Sequence, residues 1–260
     1  MDKYEVTIEK DFNLDHIFDC GQCFRWEKED DGSYTGIALG RRVNMAYSGS
    51  VLTITGATKE DFDMVWRDYL DLDTDYTKIK DAIDIDQKIK DYGCGIRILK
   101  QEPWETLISF IVSQNNNIPR IKGCIEKMCQ LCGDEIEGGY AFPRPEQLMN
   151  ADLSSVKLGY REKYILDTAR RVYEEGYVDK DHIEKYLGVG PKVANCINLF
   201  GLRKYDSFPI DTWMEKIMNR LYGLEKKKDM AAFAKEHFGK YGGYAQQYLF
   251  YYARSLEELK

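Results

Sequence analysis

The sequence predicts an α+β fold, with a small antiparallel β-rich region over residues 1–85 and a mainly α-helical body over residues 86–260. Three observations carry that reading. Near the N-terminus, short strand-like runs are bounded by turn sequences; from about Lys59 onward helical signals dominate; and no internal repeat or low-complexity tract breaks either part.

The strand-like runs are Tyr34-Thr35-Gly36-Ile37-Ala38-Leu39 and Val51-Leu52-Thr53-Ile54-Thr55, flanked by Asp-Asp-Gly and Ser-Gly-Ser turns. Further on, Pro103-Trp104-Glu105 opens a helix whose Leu107, Ile108, Ile111 and Val112 share one face, with proline at the position where its missing N–H is harmless. Three asparagines, Asn115 to Asn117, then favour a terminus or turn over helix interior. Residues 133–145 read as a loop, and residues 146–175 as helices broken at Leu158-Gly159-Tyr160. Helix resumes from Asp179.

Composition narrows the function classes. At 260 residues and 43% hydrophobic, the chain can form one large domain or two modest ones. It has no apolar run approaching the ~18 residues that would span a membrane. The start, Met1-Asp2-Lys3-Tyr4-Glu5, has neither the basic nor the apolar stretch of a signal peptide, so an intracellular protein is expected, cytoplasmic and nucleoid-associated if bacterial. Seven dispersed cysteines suit reduced thiols better than a disulfide framework. The pairs Cys20/Cys23 and Cys129/Cys132 lie too far apart for an ordinary zinc module, and no side-chain metal site is expected. Net charge is −7, but unevenly spread: residues 1–85 hold 19 acids and 10 bases, residues 86–260 hold 25 acids and 27 bases. Local patches decide nucleic-acid affinity, so this balance permits such a partner without predicting it.

The informative stretch is His182 to Ile197. A short helix ending at Leu187, a tight turn over Gly188, Val189 and Gly190, and a second helix opened by Pro191 make a helix-hairpin-helix. Free N–H groups at the second helix's start, with the positive end of its dipole, suit a phosphate. Converging hairpin carbonyls can also hold a monovalent cation against that phosphate. Lys192 sits where the dipole disfavours a cation, so chemistry explains its position better than stability does. The dipole and partial desolvation are expected to lower its amine pKa and supply a nucleophile. Asp211 follows at the start of another helix, either as a plain N-cap or as a carboxylate facing Lys192.

With these residues the chain resembles the helix-hairpin-helix (HhH-GPD) DNA glycosylases, and within them the 8-oxoguanine branch. Gly188 to Lys192 and Asp211 match the superfamily's hairpin, lysine and aspartate. Gly21-Gln22-Cys23-Phe24-Arg25-Trp26, Ser113 to Arg120, Leu158-Gly159-Tyr160-Arg161 and Tyr244 to Phe250 resemble the branch's further motifs, in the same order and over nearly the whole chain. The resemblance implies a bifunctional base-excision repair enzyme acting on damaged double-stranded DNA, working as a monomer and needing no cofactor beyond the hairpin's cation. Lys192 would attack the sugar, and Asp211 would balance its charge.

The same resemblance assigns the base pocket. Guanine's N7 accepts in the major groove, and oxidation at C8 turns it into a donor, so a reader needs an acceptor there. The carbonyl of Gly21 would supply it, Gln246 would bond the Watson–Crick edge, and Cys196 and Phe250 would sandwich the ring. Tyr160 would wedge into the stack to offset unstacking, while Asn115, Arg120 and Arg161 address the orphaned cytosine. Two features depart from the wider family: Trp213 stands where many relatives have histidine, and no C-terminal cysteine cluster follows Cys196. An alkylated-base glycosylase accounts poorly for Lys192, and a non-catalytic DNA-binding module leaves Lys192, Asp211 and the pocket motifs without purpose.

Overall fold

Five strands build one antiparallel sheet: β1 (Lys3–Thr7), β2 (Trp26–Lys28), β3 (Tyr34–Ala38), β4 (Arg41–Ser48) and β5 (Val51–Thr55), in spatial order β1-β5-β4-β3-β2. The computed structural model describes residues 2–256 and Leu259. Alternation does the sorting: Val43 and Met45 of β4 and Leu52 and Ile54 of β5 point inward, with Met45 directly opposite Ile54. Helix α1 (Leu14–Phe18) lies between β1 and β2 in sequence, capped by the Asn13 side chain.

A continuous helical stretch follows, made of α2 (Lys59–Asp61), a π-helical segment (Phe62–Trp66) and α3 (Arg67–Tyr69). It covers the sheet: the Trp26 ring stacks on Phe18 at 4.0 Å, meets Trp66 edge-on at 6.3 Å and donates its indole N–H to Tyr69 Oη at 3.0 Å.

The body comprises α4 (Tyr76–Ala82), α5 (Gln87–Tyr92), α6 (Pro103–Ser113), α7 (Ile118–Cys132), α8 (Pro145–Leu148), α9 (Arg161–Glu175), α10 (Pro191–Phe200), α11 (Thr212–Tyr222), α12 (Lys227–His237) and α13 (Gly242–Ser255). Its core centres on α6, where Thr106 through Val112 are all buried, because helices pack on it from several sides. Tyr76, Ile79, Ile83 and Phe24 join this core, whereas Leu99 packs with the sheet's core. No helix among the described residues is long and apolar enough to cross a membrane.

Two local expectations need correction. The loop over residues 133–145 contains a two-residue ladder, β6 (Glu135–Ile136) with β7 (Gly139–Tyr140), closed by Gly138. The helix expected to end at Leu187 is one 3₁₀ turn, Ile183–Lys185, with Leu187 exposed beyond it.

One buried side chain joins sheet and body. The Gln22 amide donates to the carbonyls of Ile17 and Arg97, each at 2.8 Å, and its oxygen accepts from Leu99 N–H at 2.9 Å. Gln101 donates to the Gln22 carbonyl at 2.7 Å. Arg97 continues the seam, bonding the carbonyls of Asp11 and Asp71. Replacing Gln22 with leucine orphans the Arg97 carbonyl and the Leu99 N–H and leaves the Ile17 carbonyl with the Cys20 thiol, so Gln22→Leu is expected to destabilise the chain by about 2 kcal/mol or more in urea unfolding.

Candidate active site

The site starts from the hairpin. The Val189 N–H closes the turn onto the Tyr186 carbonyl at 3.0 Å, and Ala194 N–H begins the α10 ladder on the Gly190 carbonyl at 2.9 Å. Gly188 has φ +82°, and a Cβ there would fall 2.2 Å from the Tyr164 ring, so only glycine fits. Gly190 faces open space, with nothing within 4 Å of its would-be Cβ. The N–H groups of Lys192 and Val193 lie in the first turn of α10, where no helix carbonyl reaches them.

Lys192 is half-buried, its ammonium 5.7 Å from the centroid of the Phe110 ring. One turn along α10, Cys196 is buried; burial pushes its thiol up, opposed by the charge of Lys192 and a hydrogen bond to it. Asp211 is the N-cap of α11, with Oδ1 accepting from Met214 N–H at 2.9 Å. Desolvation raises its carboxyl above the ordinary range, opposed by that cap bond and by the charge of Lys192. The pair is coupled through space without closing an ion pair: Lys192 has no carboxylate oxygen within 4.0 Å among the described residues.

Gln246 and Phe250 lie one turn apart on α13 and therefore on one face. Gln246 is buried, and its amide oxygen accepts from Gln247 at 3.0 Å, its one side-chain hydrogen bond among the described residues. Phe250, which the resemblance assigns with Cys196 to sandwich the base, stands against Gly21. Its ring carbon lies 3.2 Å from where a Gly21 Cβ would stand, so in this structure the phenylalanine rests directly against the glycine. Gly21 has φ +78°, which turns the chain sharply beneath that ring.

Asn115, Arg120, Tyr160 and Arg161 gather on another rim. The Asn115 amide donates to Tyr160 Oη at 3.2 Å, and Arg120 donates to the Lys157 carbonyl at 3.2 Å. Tyr160 is 47% exposed. Arg161 is neither solvated nor projecting. It is buried, and its guanidinium donates to the carbonyls of Gln114, Asn115 and Leu158 while lying 4.6 Å from the Tyr160 ring centroid. Here it braces the turn that carries Tyr160, because three carbonyls of the adjoining chain converge on it.

Sequence reasoning missed Tyr164. Its ring fills the space that a Gly188 Cβ would need and meets Tyr160 edge-on at 5.5 Å, linking hairpin to wedge. The spacing Tyr160…Tyr164 on one helix face was the available signal. Trp213, where histidine stands in many relatives, is half-buried, with the Lys216 ammonium 5.2 Å from its ring centroid. All seven cysteines are free; burial pushes the Cys20 and Cys129 thiols up to about 12, and no cluster of metal-binding side chains forms among the described residues.

A glycine hairpin, a lysine at the start of its second helix and a buried aspartate cap beside it define the helix-hairpin-helix class. Comparison with known proteins agrees. The family described as "8-oxoguanine DNA glycosylase, N-terminal domain" matches residues 5–107, and "HhH-GPD superfamily base excision DNA repair protein" matches residues 108–239. The 8-oxoguanine glycosylase/lyase of Clostridium acetobutylicum, solved with double-stranded DNA containing cytosine opposite 8-oxoG, is 40% identical with a TM-score of 0.93, over 98% of this chain and 96% of that one. MBOgg1, solved with a low-affinity DNA ligand, is 42% identical with a TM-score of 0.91, over 97% and 96%. The N-glycosylase/DNA lyase of Saccharomyces cerevisiae is 38% identical over 52% of this chain, a match spanning only 44% of the yeast protein. This chain belongs to the HhH-GPD superfamily of base excision DNA repair proteins, within its 8-oxoguanine DNA glycosylase family.

The two hairpin glycines differ in a way that can be measured. Gly188→Ala forces both a left-handed alanine and an overlap with Tyr164, and is expected to destabilise the protein by about 1–3 kcal/mol in thermal melts. Gly190→Ala, with open space around it, is expected to melt like the parent protein.

Proposed function

We propose that this protein excises 8-oxoguanine from duplex DNA and nicks the resulting strand through a lysine Schiff base. The observation that carries the proposal is Lys192 at the start of α10, coupled to the desolvated carboxyl of Asp211 without an ion pair. A carboxylate stripped of water holds a proton more readily, so Asp211 is suited to take one from the Lys192 ammonium. The neutral amine then attacks C1′ of the extruded nucleotide as the C1′–N9 bond breaks and the departing purine takes up a proton. Ring opening gives a Schiff base. Loss of a C2′ proton then breaks the C3′–O bond, cutting the strand on the 3′ side by β-elimination.

Base choice follows from the pocket. The Gly21 carbonyl accepts from the N7–H that oxidation creates, the buried Gln246 amide pairs with the Watson–Crick edge, and Phe250 moves off Gly21 to stack on the ring. Cys196 supplies the opposite wall. The exposed Tyr160 fills the vacated stack, and Asn115 with Arg120 meets the partner base. Arg161 reaches that base only by releasing its carbonyls, so its proposed contribution in the closed form is to hold Tyr160. The hairpin clamps a phosphate with its free N–H groups. The carbonyls of Leu187, Gly188 and Val189 receive no hydrogen bond among the described residues, a donor set that fits a monovalent cation there.

Duplexes carrying 8-oxoguanine opposite A, C, G or T test the reading directly. Base release is expected fastest opposite cytosine, and Lys192→Gln is expected to abolish both release and nicking. An enzyme that releases methylated purines but leaves 8-oxoguanine in place in all four duplexes belongs to a different reading.

A further inference from the structure

Beside the first turn of the Lys192 helix lies an open cleft of about 1320 Å³, between α10, the loop leading to Asp211, α12 and the start of α13. Its wall begins with Pro191, Lys192 and Asn195, so it adjoins the proposed reaction centre without including Gly21, Gln246 or Phe250. Its charge is at odds with the rest of the chain: seven basic side chains line it against Asp206 as the one acid, in a protein of net charge −7.

The bases are unevenly committed. Lys227 pairs with Glu215 at 2.9 Å, Arg203 reaches Asp68 at 3.5 Å, and Lys204 donates to the Lys180 carbonyl. Lys228 and Lys235 are exposed and have no ion-pair or hydrogen-bond partner among the described residues. Both sit with Ala231 on the cleft-facing side of α12, seven residues apart and therefore on one face. Two like charges held without a counter-charge call for an anion from outside.

The cleft's floor is not polar. Phe208, Ile210, Tyr205, Tyr241 and Tyr244 line it; Tyr205 stacks on Tyr244 at 5.0 Å, and Lys240 lies 5.0 Å from the Tyr241 ring centroid. Phe208 and Tyr244 are buried, so Tyr205 and Tyr241 are the half-buried rings; two such faces beside a lysine rim combine base stacking with backbone neutralisation, the two ingredients of single-strand binding. A duplex could touch only the rim of a concavity, because its bases are already stacked on each other. A single strand can lower its bases to the floor while its phosphates follow the lysines.

We propose that this cleft binds single-stranded DNA continuous with the strand that engages Lys192. The inference extends the proposed function but stands on separate residues, and two independent readouts keep their failures apart. Anisotropy with fluorescein-labelled oligothymidylates of increasing length reads the cleft; 8-oxoguanine release from a blunt duplex reads the reaction centre. The parent protein is expected to bind more tightly as the oligonucleotide lengthens. K228E/K235E is expected to bind about tenfold or more weakly and to lose about 1.4 from the salt slope, two phosphates' worth for a single strand. K228R/K235R keeps both charges and is expected to bind like the parent. Tyr241→Leu is expected to weaken binding about fivefold by removing one stacking face. Blunt-duplex release stays within about twofold of the parent in all three variants, since none of these side chains belongs to the reaction centre. Unchanged oligothymidylate binding in K228E/K235E overturns the proposal, as does equal loss in both readouts, or capture of a free mononucleotide as tightly as of a strand. Absence of 8-oxoguanine release by the parent, with oligothymidylate binding intact, overturns the reaction assignment and leaves the cleft standing.

Discussion

A single carboxylate does two jobs, and the reaction centre depends on its doing both. Asp211 caps α11 through Met214 N–H, which fixes one oxygen and sets where the helix begins. The same side chain is desolvated beside the first turn of α10, where Lys192 sits against the unfavourable end of a helix dipole. Each helix start therefore compensates for the other: the amine offsets the carboxylate's desolvation, and the carboxylate offsets the amine's misplacement. Because no ion pair closes, the proposed reaction can use that amine as a nucleophile and the neighbouring carboxylate as its base.

Around this pair the molecule is braced by polar groups of unusual placement. Gln22 uses both ends of its amide to tie the early glycine turn to residues 97–99, so Gly21 is held by the sheet–body seam and not by a free loop. Tyr164 couples the hairpin to the turn that carries Tyr160, and Arg161 ties that turn, through the Leu158 carbonyl, to the carbonyls of Gln114 and Asn115. The hairpin, the start of α10 and the turn that carries Tyr160 are thus joined by direct contacts. In the proposed reaction Phe250, which lies on Gly21, is the part that yields, and an extruded base supplies a ring to replace the contact it gives up.

Much of this was legible in the sequence, for reasons that can be named. Alternation marked the strands at Tyr34–Ala38 and Val51–Thr55, and Pro103 and Pro191 marked the starts of α6 and α10, because these signals are local. The two-residue β6–β7 ladder was hidden inside a glycine-bearing loop too short to show a period. Arg161 reads as a surface charge because the Gln114 and Asn115 carbonyls that bury it lie 47 and 46 residues away in the chain. Contact between Phe250 and Gly21 joins opposite ends of the chain and leaves no trace in either neighbourhood. The basic cleft escaped for a related reason: its lysines are spread from Lys192 to Lys240, in a chain whose overall charge is acidic.

The central claim is that the Lys192 amine becomes bonded to the sugar. Borohydride reduction during reaction with an 8-oxoguanine duplex, followed by peptide mapping of the trapped protein–DNA adduct, tests it most directly. The account predicts a stable adduct whose DNA is attached at Lys192. Base release that proceeds with no trapped adduct, or an adduct mapped to another lysine, contradicts it.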